Sequence, residues 1–99
     1  MQILITNTFL ANYTGSELYV RDLALELRRR GHTPVVYSPY LGHLARALQA
    51  EGIVAVDDLS KVLQSPDLIH GQHHLEIMAA LAHFPSIPAV YFCHGWVPW

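Results

Sequence analysis

Apolar residues recur along this chain with two alternating periods. Ile3-Leu4-Ile5 is a short continuous run rich in β-branched side chains, the pattern of a strand buried on both faces. After a turn-rich stretch from Thr8 to Gly15, Val20, Leu23, Ala24 and Leu27 recur at i, i+3, i+4 and i+7 and predict an amphipathic helix. Thr14 and Glu17 have the spacing of a capping box at its start, and Gly31 suits the position just past its end. Arg28, Arg29 and Arg30 fall in its last turn, where cations complement the helix dipole, so this run reads as helix termination rather than as a ligand site. Pro34 opens a second apolar run, Val35-Val36-Tyr37, and Pro39 closes it. Leu41, Leu44, Ala45 and Leu48 repeat the helical period until Gly52 stops it, and Ile53 to Val56 reads as a third strand. Asp57 is placed to cap a short helix through Leu63, ended by Pro66. Leu68-Ile69 forms the centre of a fourth strand starting at Asp67, His74 to Ala82 is helical in composition, and Ile87 to Phe92 is a fifth strand.

Five strands alternating with four helices imply right-handed βαβ units around a parallel sheet. The predicted fold is therefore a Rossmann-like three-layer α/β sandwich over residues 1–99, with about five strands in the order 3-2-1-4-5. Composition narrows the function classes. The 99 residues are 52% apolar but only 14% charged, against roughly 25% charged in an average soluble chain. Such apolar content excludes disorder, since burial offsets the entropy of ordering. Six Lys and Arg against eight Asp and Glu, a net charge of −2, cannot build a phosphate-tracking surface, which excludes nucleic acid as a partner. So few charges also suggest that part of the surface is covered by something else. A lone cysteine, Cys93, forbids an internal disulfide and suits a reducing compartment. The start of the chain has no basic flank and no long apolar core, so it does not read as a signal peptide. No apolar run approaches the roughly 18 residues that cross a bilayer, which leaves peripheral membrane contact at most and points to the cytoplasm.

In open parallel sheets, ligands bind beyond the carboxyl ends of the strands. That rule selects Asn7 to Gly15, Ser38 to Gly42, His70 to His74 and Cys93 to Trp99. The first of these segments has one glycine and no G-x-G-x-x-G, which disfavours a nicotinamide or flavin site, and the Walker pattern is absent. Gly15 beside a helix N-terminus fits either a structural turn or the approach of an anion to backbone N–H groups. Of seven histidines, His32, His43 and His83 flank turns or a helix end, whereas His70, His73, His74 and His94 gather at the ligand-facing strand ends. These four fit a polar substrate site, a metal site with Glu76 as its nominal carboxylate, or structural imidazoles bonded to backbone. Cys93 and His94 are neighbours on a strand and point to opposite faces, so they do not form a nucleophile–base pair. Trp96 and Trp99 would expose large apolar rings on a free tail.

Asn12-Tyr13-Thr14-Gly15-Ser16-Glu17, followed by Leu27-x-x-x-Gly31-His32-x-Pro34-x-Val36, resembles the opening of a family 4 glycosyltransferase. Asp67-Leu68-Ile69-His70-Gly71-Gln72-His73 and Ile87-Pro88-Ala89-Val90-Tyr91-x-x-His94-Gly95-Trp96 match the next two landmarks of that family in order and spacing. The resemblance implies a retaining enzyme with two Rossmann-like lobes, the GT-B architecture, and no metal or other cofactor. Its first lobe shapes the acceptor site and its second binds most of the nucleotide-sugar donor. On this resemblance the chain is the incomplete N-terminal lobe, on the acceptor side, and its partners are a nucleotide-sugar donor, a hydroxyl acceptor and a C-terminal lobe that it lacks. His94 matches the histidine near the transferred sugar and is the implied catalytic residue. Gly15 matches the glycine that approaches the donor diphosphate, with Thr14 in place of a second glycine. Tyr13 faces the acceptor, and His70 and His73 belong to the polar loop after the fourth strand, with Gln72 where another histidine is frequent. The glutamate-rich donor motif of the second lobe is absent from these residues, so the chain alone is expected to be inactive.

Two other classes fit the same residues: a stand-alone Rossmann-like module that holds a nucleotide or a protein without catalysis, and a histidine-based metal-binding domain. A reading frame continuing about two hundred residues past Trp99 favours the transferase, and a stop there favours the module. An unpaired edge at the third or fifth strand also offers a second copy of the chain a place to pair, as a homodimer.

Overall fold

The Ile3-Leu4-Ile5 run lies at the centre of the sheet, as its apolar character on both faces requires. The structure, a computed structural model, describes residues 1–7, 9–10, 15–62, 64–71 and 74–91. Strand β1 (Gln2–Thr6) pairs on one side with a strand at Thr33–Tyr37 and on the other with one at Leu68–Gly71. Short parallel strands run between the main ones at Phe9–Leu10 (β2) and Tyr40–Leu41 (β4), and pair with each other. In chain order the main strands are therefore β1, β3 (Thr33–Tyr37), β5 (Val54–Val56), β6 (Leu68–Gly71) and β7 (Ala89–Tyr91). They form one five-stranded sheet, β5-β3-β1-β6-β7, parallel at every pairing. Numbered among themselves, the main strands stand in the expected order 3-2-1-4-5.

Side-chain alternation along the central strand sorts the core into two layers. Ile3 and Ile5, with Val36, pack against Val20 and Ala24 of α1 (Gly15–Arg29) and Leu44, Ala45 and Leu48 of α2 (His43–Ala50). Leu4, with Val35, Val56 and Ile69, packs on the other face against Ile77 and Ala80 of α3 (His74–His83) and against Leu59 and Val62. Pro34 is tolerated inside the sheet because of where its missing donor falls. Thr33 N–H donates to Met1 O, so the next residue's nitrogen faces β5, whose pairing begins only at Val54 opposite Val35.

Helices α1 and α2 end by the same device. Gly31, at φ +89°, and Gly52, at φ +84°, are the only described residues with left-handed backbone. At the first, Gly31 N–H donates to Arg28 O and His32 N–H to Leu27 O; at the second, Gly52 N–H donates to Gln49 O and Ile53 N–H to Leu48 O. This double bond pattern closes the last turn, and Ile53 and Leu48 then bury together in the core. Exposed ion pairs trim the surface. Arg28 meets Glu51 at 3.5 Å across α1 and α2, while hydrogen bonds from Arg30 and Arg29 hold the Glu26 carboxyl below its ordinary range. No helix among the described residues is long and apolar enough to cross a membrane.

Three expectations are corrected. Leu41 lies in β4, exposed, and not in α2, which begins at His43 after an uncapped Gly42. The helix expected from Asp57 to Leu63 is a single 3-10 turn, Leu59–Lys61, so three α-helices rather than four accompany the sheet among the described residues. Its cap is Asp58, whose Oδ1 accepts from Ser60 N–H at 2.9 Å and Ser60 Oγ at 2.8 Å, and the chain is already extended at Val62. Asp57 instead meets Lys61 at 2.7 Å. The last strand begins at Ala89 and not at Ile87, because Ile87 packs with the α3 layer and Pro88 has no N–H to give the ladder; the Pro88 carbonyl accepts from Ile69 N–H at 3.0 Å, and Phe92, the expected end, lies outside the described residues. Thr14, the expected cap of α1, lies outside the described residues.

The Asp58 cap gives a pH-dependent prediction. Bonds from the Ser60 backbone and hydroxyl lower the Asp58 pKa, so its stabilisation is fully present above the ordinary aspartate range and is lost as pH falls through the lowered value. Asp58→Ala is expected to melt below the wild type at pH 7, with the two curves converging under strongly acid conditions. Thermal melts across that range check it, and a difference that persists at low pH would contradict the cap.

Candidate functional site

Because every pairing in the main sheet is parallel, all five strands end at one edge, and the buried polar residues among those described lie there. Hydrogen bonding continues one residue past β1 and β3: Asn7 N–H donates to Tyr37 O at 3.0 Å and Ser38 N–H to Val56 O at 3.0 Å. Thr6, Asn7 and Ser38 are wholly buried, the only buried polar or charged residues among those described. A buried polar group is costly unless it is satisfied, so three at one sheet edge mark a place where the core gives way to organised polar structure. The ribbon of β2 and β4 joins the segments that follow β1 and β3 at this same edge.

His70 is brought to the edge by β6. In register it stands between Ile5 and Val90, one residue before the strand ends. Leu68, two residues earlier, packs against the α1 and α2 layer, while Ile69 packs on the α3 side, so the alternation turns His70 toward α1. The ring of Tyr19 meets it there, stacked with centroids 6.1 Å apart and planes 28° from parallel. Tyr19 lies in the second turn of the helix that begins at Gly15, and this contact joins the start of α1 to the end of β6.

Gly71 faces the opposite layer. A Cβ built on it would lie 2.7 Å from Ile77 Cγ1 and 2.8 Å from Ile77 Cβ, closer than atoms can approach. The missing side chain is what allows α3 to seat against the end of β6. On the outer side of the sheet, beyond β5, the Asp57–Lys61 pair shifts both groups toward their charged forms, Asp57 lowered and Lys61 raised, chiefly through their mutual hydrogen bond. That pair is solvated and belongs to the 3-10 turn rather than to the central strands.

Among the residues singled out from sequence, the structure gathers Gly15, as the first residue of α1, and His70 at one edge. Tyr13, Thr14, His73 and His94 lie outside the described residues, as do Cys93, Trp96 and Trp99. No three His, Cys, Asp or Glu side chains cluster among the described residues. Tyr19 and Thr6 were not singled out as site residues. Tyr19 had a signal: it precedes Leu23 and Leu27 at four-residue steps, so it carries the apolar stripe of α1 to the ligand edge with an aromatic ring. Neither a curated protein nor a solved structure matches the chain. The family model described as Glycosyltransferase Family 4 matches residues 13–99, a span that takes in α1, α2, α3 and every main strand except β1, and the chain thus belongs to this family of sugar-transferring enzymes.

Proposed function

We propose that the chain is the N-terminal, acceptor-side part of a retaining glycosyltransferase that moves a sugar from a nucleotide-sugar donor to a hydroxyl acceptor. One observation carries the reading: in a chain of this family, the start of α1 and the end of β6 meet at the polar edge of the sheet through Tyr19 and His70. In the transfer, the bond from the anomeric carbon to the donor diphosphate breaks and the diphosphate leaves with the electron pair. The acceptor oxygen bonds to that carbon and its hydroxyl proton is released. Gly15, at the N-terminus of α1, is suited to a diphosphate, since the first backbone N–H groups of a helix have no partner within it. His70 and His73 bind the substrates by hydrogen bonding, Tyr13 and Thr14 line the acceptor side, and His94 positions the reacting centre.

The 99 residues hold no glutamate-rich donor motif, so on this reading they bind but do not turn over, and depend on a C-terminal lobe. The lone Cys93 suits the reducing cytoplasm as the compartment. The test is a titration of the isotope-labelled chain with UDP-glucose and with GDP-mannose, followed by amide spectra, beside a turnover assay with the same donors. Expected are shifts at Gly15, Asn7, Ser38 and Gly71 and no product. Shifts confined to the other end of the strands, at Gln2, Thr33 and Asp67, would reject the site, and measurable transfer would reject the dependence on a second lobe.

A further inference from the structure

We infer that Tyr19 is a positioning residue of this edge, holding the His70 imidazole ready for substrate; the inference rests on reading His70 as substrate-binding. The rings lie 6.1 Å apart at 28°, within the range of offset aromatic stacking. Each partner is held by its own element. Val20, next to Tyr19, is fully buried against β1, which fixes the rotation of α1 about its axis. His70 is fixed along the sheet by pairing on both sides, with Ile5 and with Val90. Both side chains are half-buried. Stacking on the face of an imidazole adds a restraint on its rotamers, and so lowers the entropy that binding must bear in selecting one. A ring clamped by its face retains only in-plane hydrogen bonding through its nitrogens, the direction in which it recognises hydroxyl or phosphate oxygens. The clamp therefore organises His70 before substrate arrives. Because this contact is made by the ring, phenylalanine should preserve the stacking on His70.

The experiment follows the His70 ring resonances in the wild-type chain and in Tyr19→Phe and Tyr19→Leu, first alone and then during titration with UDP-glucose. The wild type and Tyr19→Phe should both show His70 displaced by the neighbouring ring current. Tyr19→Leu should remove that displacement while the amide signals of β1 and β3 stay in place. Half-saturation by UDP-glucose at His70 should then rise several-fold in Tyr19→Leu and be restored by Tyr19→Phe. If Tyr19→Leu unfolds, Tyr19→Met, which keeps apolar bulk without a ring, carries the same readout. Equal half-saturation in all folded variants, or a His70 resonance indifferent to Tyr19, overturns the inference alone. No response of wild-type His70 to UDP-glucose, with its ring current intact, overturns the substrate reading and the inference with it.

Discussion

Gly71→Ala is expected to destabilise the chain by about 1–3 kcal/mol, the usual cost of forcing extra volume into a packed core. In a domain of this size each kcal/mol lowers the melting temperature by about 4–8 °C, so the effect is readable in a single thermal scan. Two opposing contributions decide the sign. Alanine restricts the unfolded chain more than glycine and gains about 0.4–1 kcal/mol where the native backbone accepts it, as it does here, since Gly71 does not have a left-handed φ. Against this, the new methyl would lie 2.7 and 2.8 Å from Ile77 Cγ1 and Cβ. Ile77 is β-branched and only 6% exposed, packed with Ala80 and Ile69, so it cannot swing aside. Relief requires α3 to move off β6, and the clash outweighs the gain. Amide signals of α3 should shift most, with those of α2 nearly unchanged. A variant that melts at or above the wild type would mean that α3 does not seat on β6 in this way.

The same residue shows what the sequence could and could not disclose. Gly31 and Gly52 were legible as helix ends because each follows an apolar stripe of helical period, and both do adopt left-handed backbone that closes the last turn. Gly71 carries no such local mark. Its requirement comes from Ile77, six residues later and on a different element, and only the packed fold brings the two together. The five main strands were readable because each is centred on a short apolar run between turn residues, and the parallel order follows from their alternation with helices. The ribbon at Phe9–Leu10 and Tyr40–Leu41 was not, since two-residue strands have no periodicity and are defined by a partner distant in sequence. The 3-10 turn was misjudged for a physical reason as well. Asp57 and Asp58 are both competent caps, and choosing the second shortens the helix to one turn, with Val62 turned into the core instead of continuing it.

For the candidate site, the rule that ligands lie beyond strand carboxyl ends located the edge, and Asn7, Ser38 and His70 fall on it. It said nothing of which polar residues are buried there or which ring touches His70. Tyr19 illustrates the gap. Along α1 it continues the line of Leu23 and Leu27, so by sequence it reads as another core position, yet it lies where the stripe leaves the core and reaches the sheet edge.

The larger effect is expected at the centre of the sheet. Leu4→Ala should cost about 2–5 kcal/mol, the range for removing a fully buried leucine side chain and leaving a cavity. Against a total stability of about 5–15 kcal/mol for a small domain, this approaches complete unfolding. Leu4 is 0% exposed and stands in register with Val35 on one side and Ile69 on the other, and its side chain packs into the layer that holds α3 and the 3-10 turn. Collapse around the missing atoms would have to displace both neighbouring strands, which the ladder opposes. Val54→Ala is the matched comparison: Val54 begins the edge strand β5 and is 50% exposed, so its truncation should stay within about 0.5 kcal/mol. Chemical denaturation of the two variants measures the contrast, and equal losses would refute the strand order. The contrast also bears on function, because β1 is the strand that leads into Thr6 and Asn7 between β3 and β6. A Leu4→Ala chain that retains a folded population should lose the response of Asn7 and Gly71 to UDP-glucose together, since both positions depend on the same central register. Val54→Ala, two strands from β1 in the sheet, should keep it.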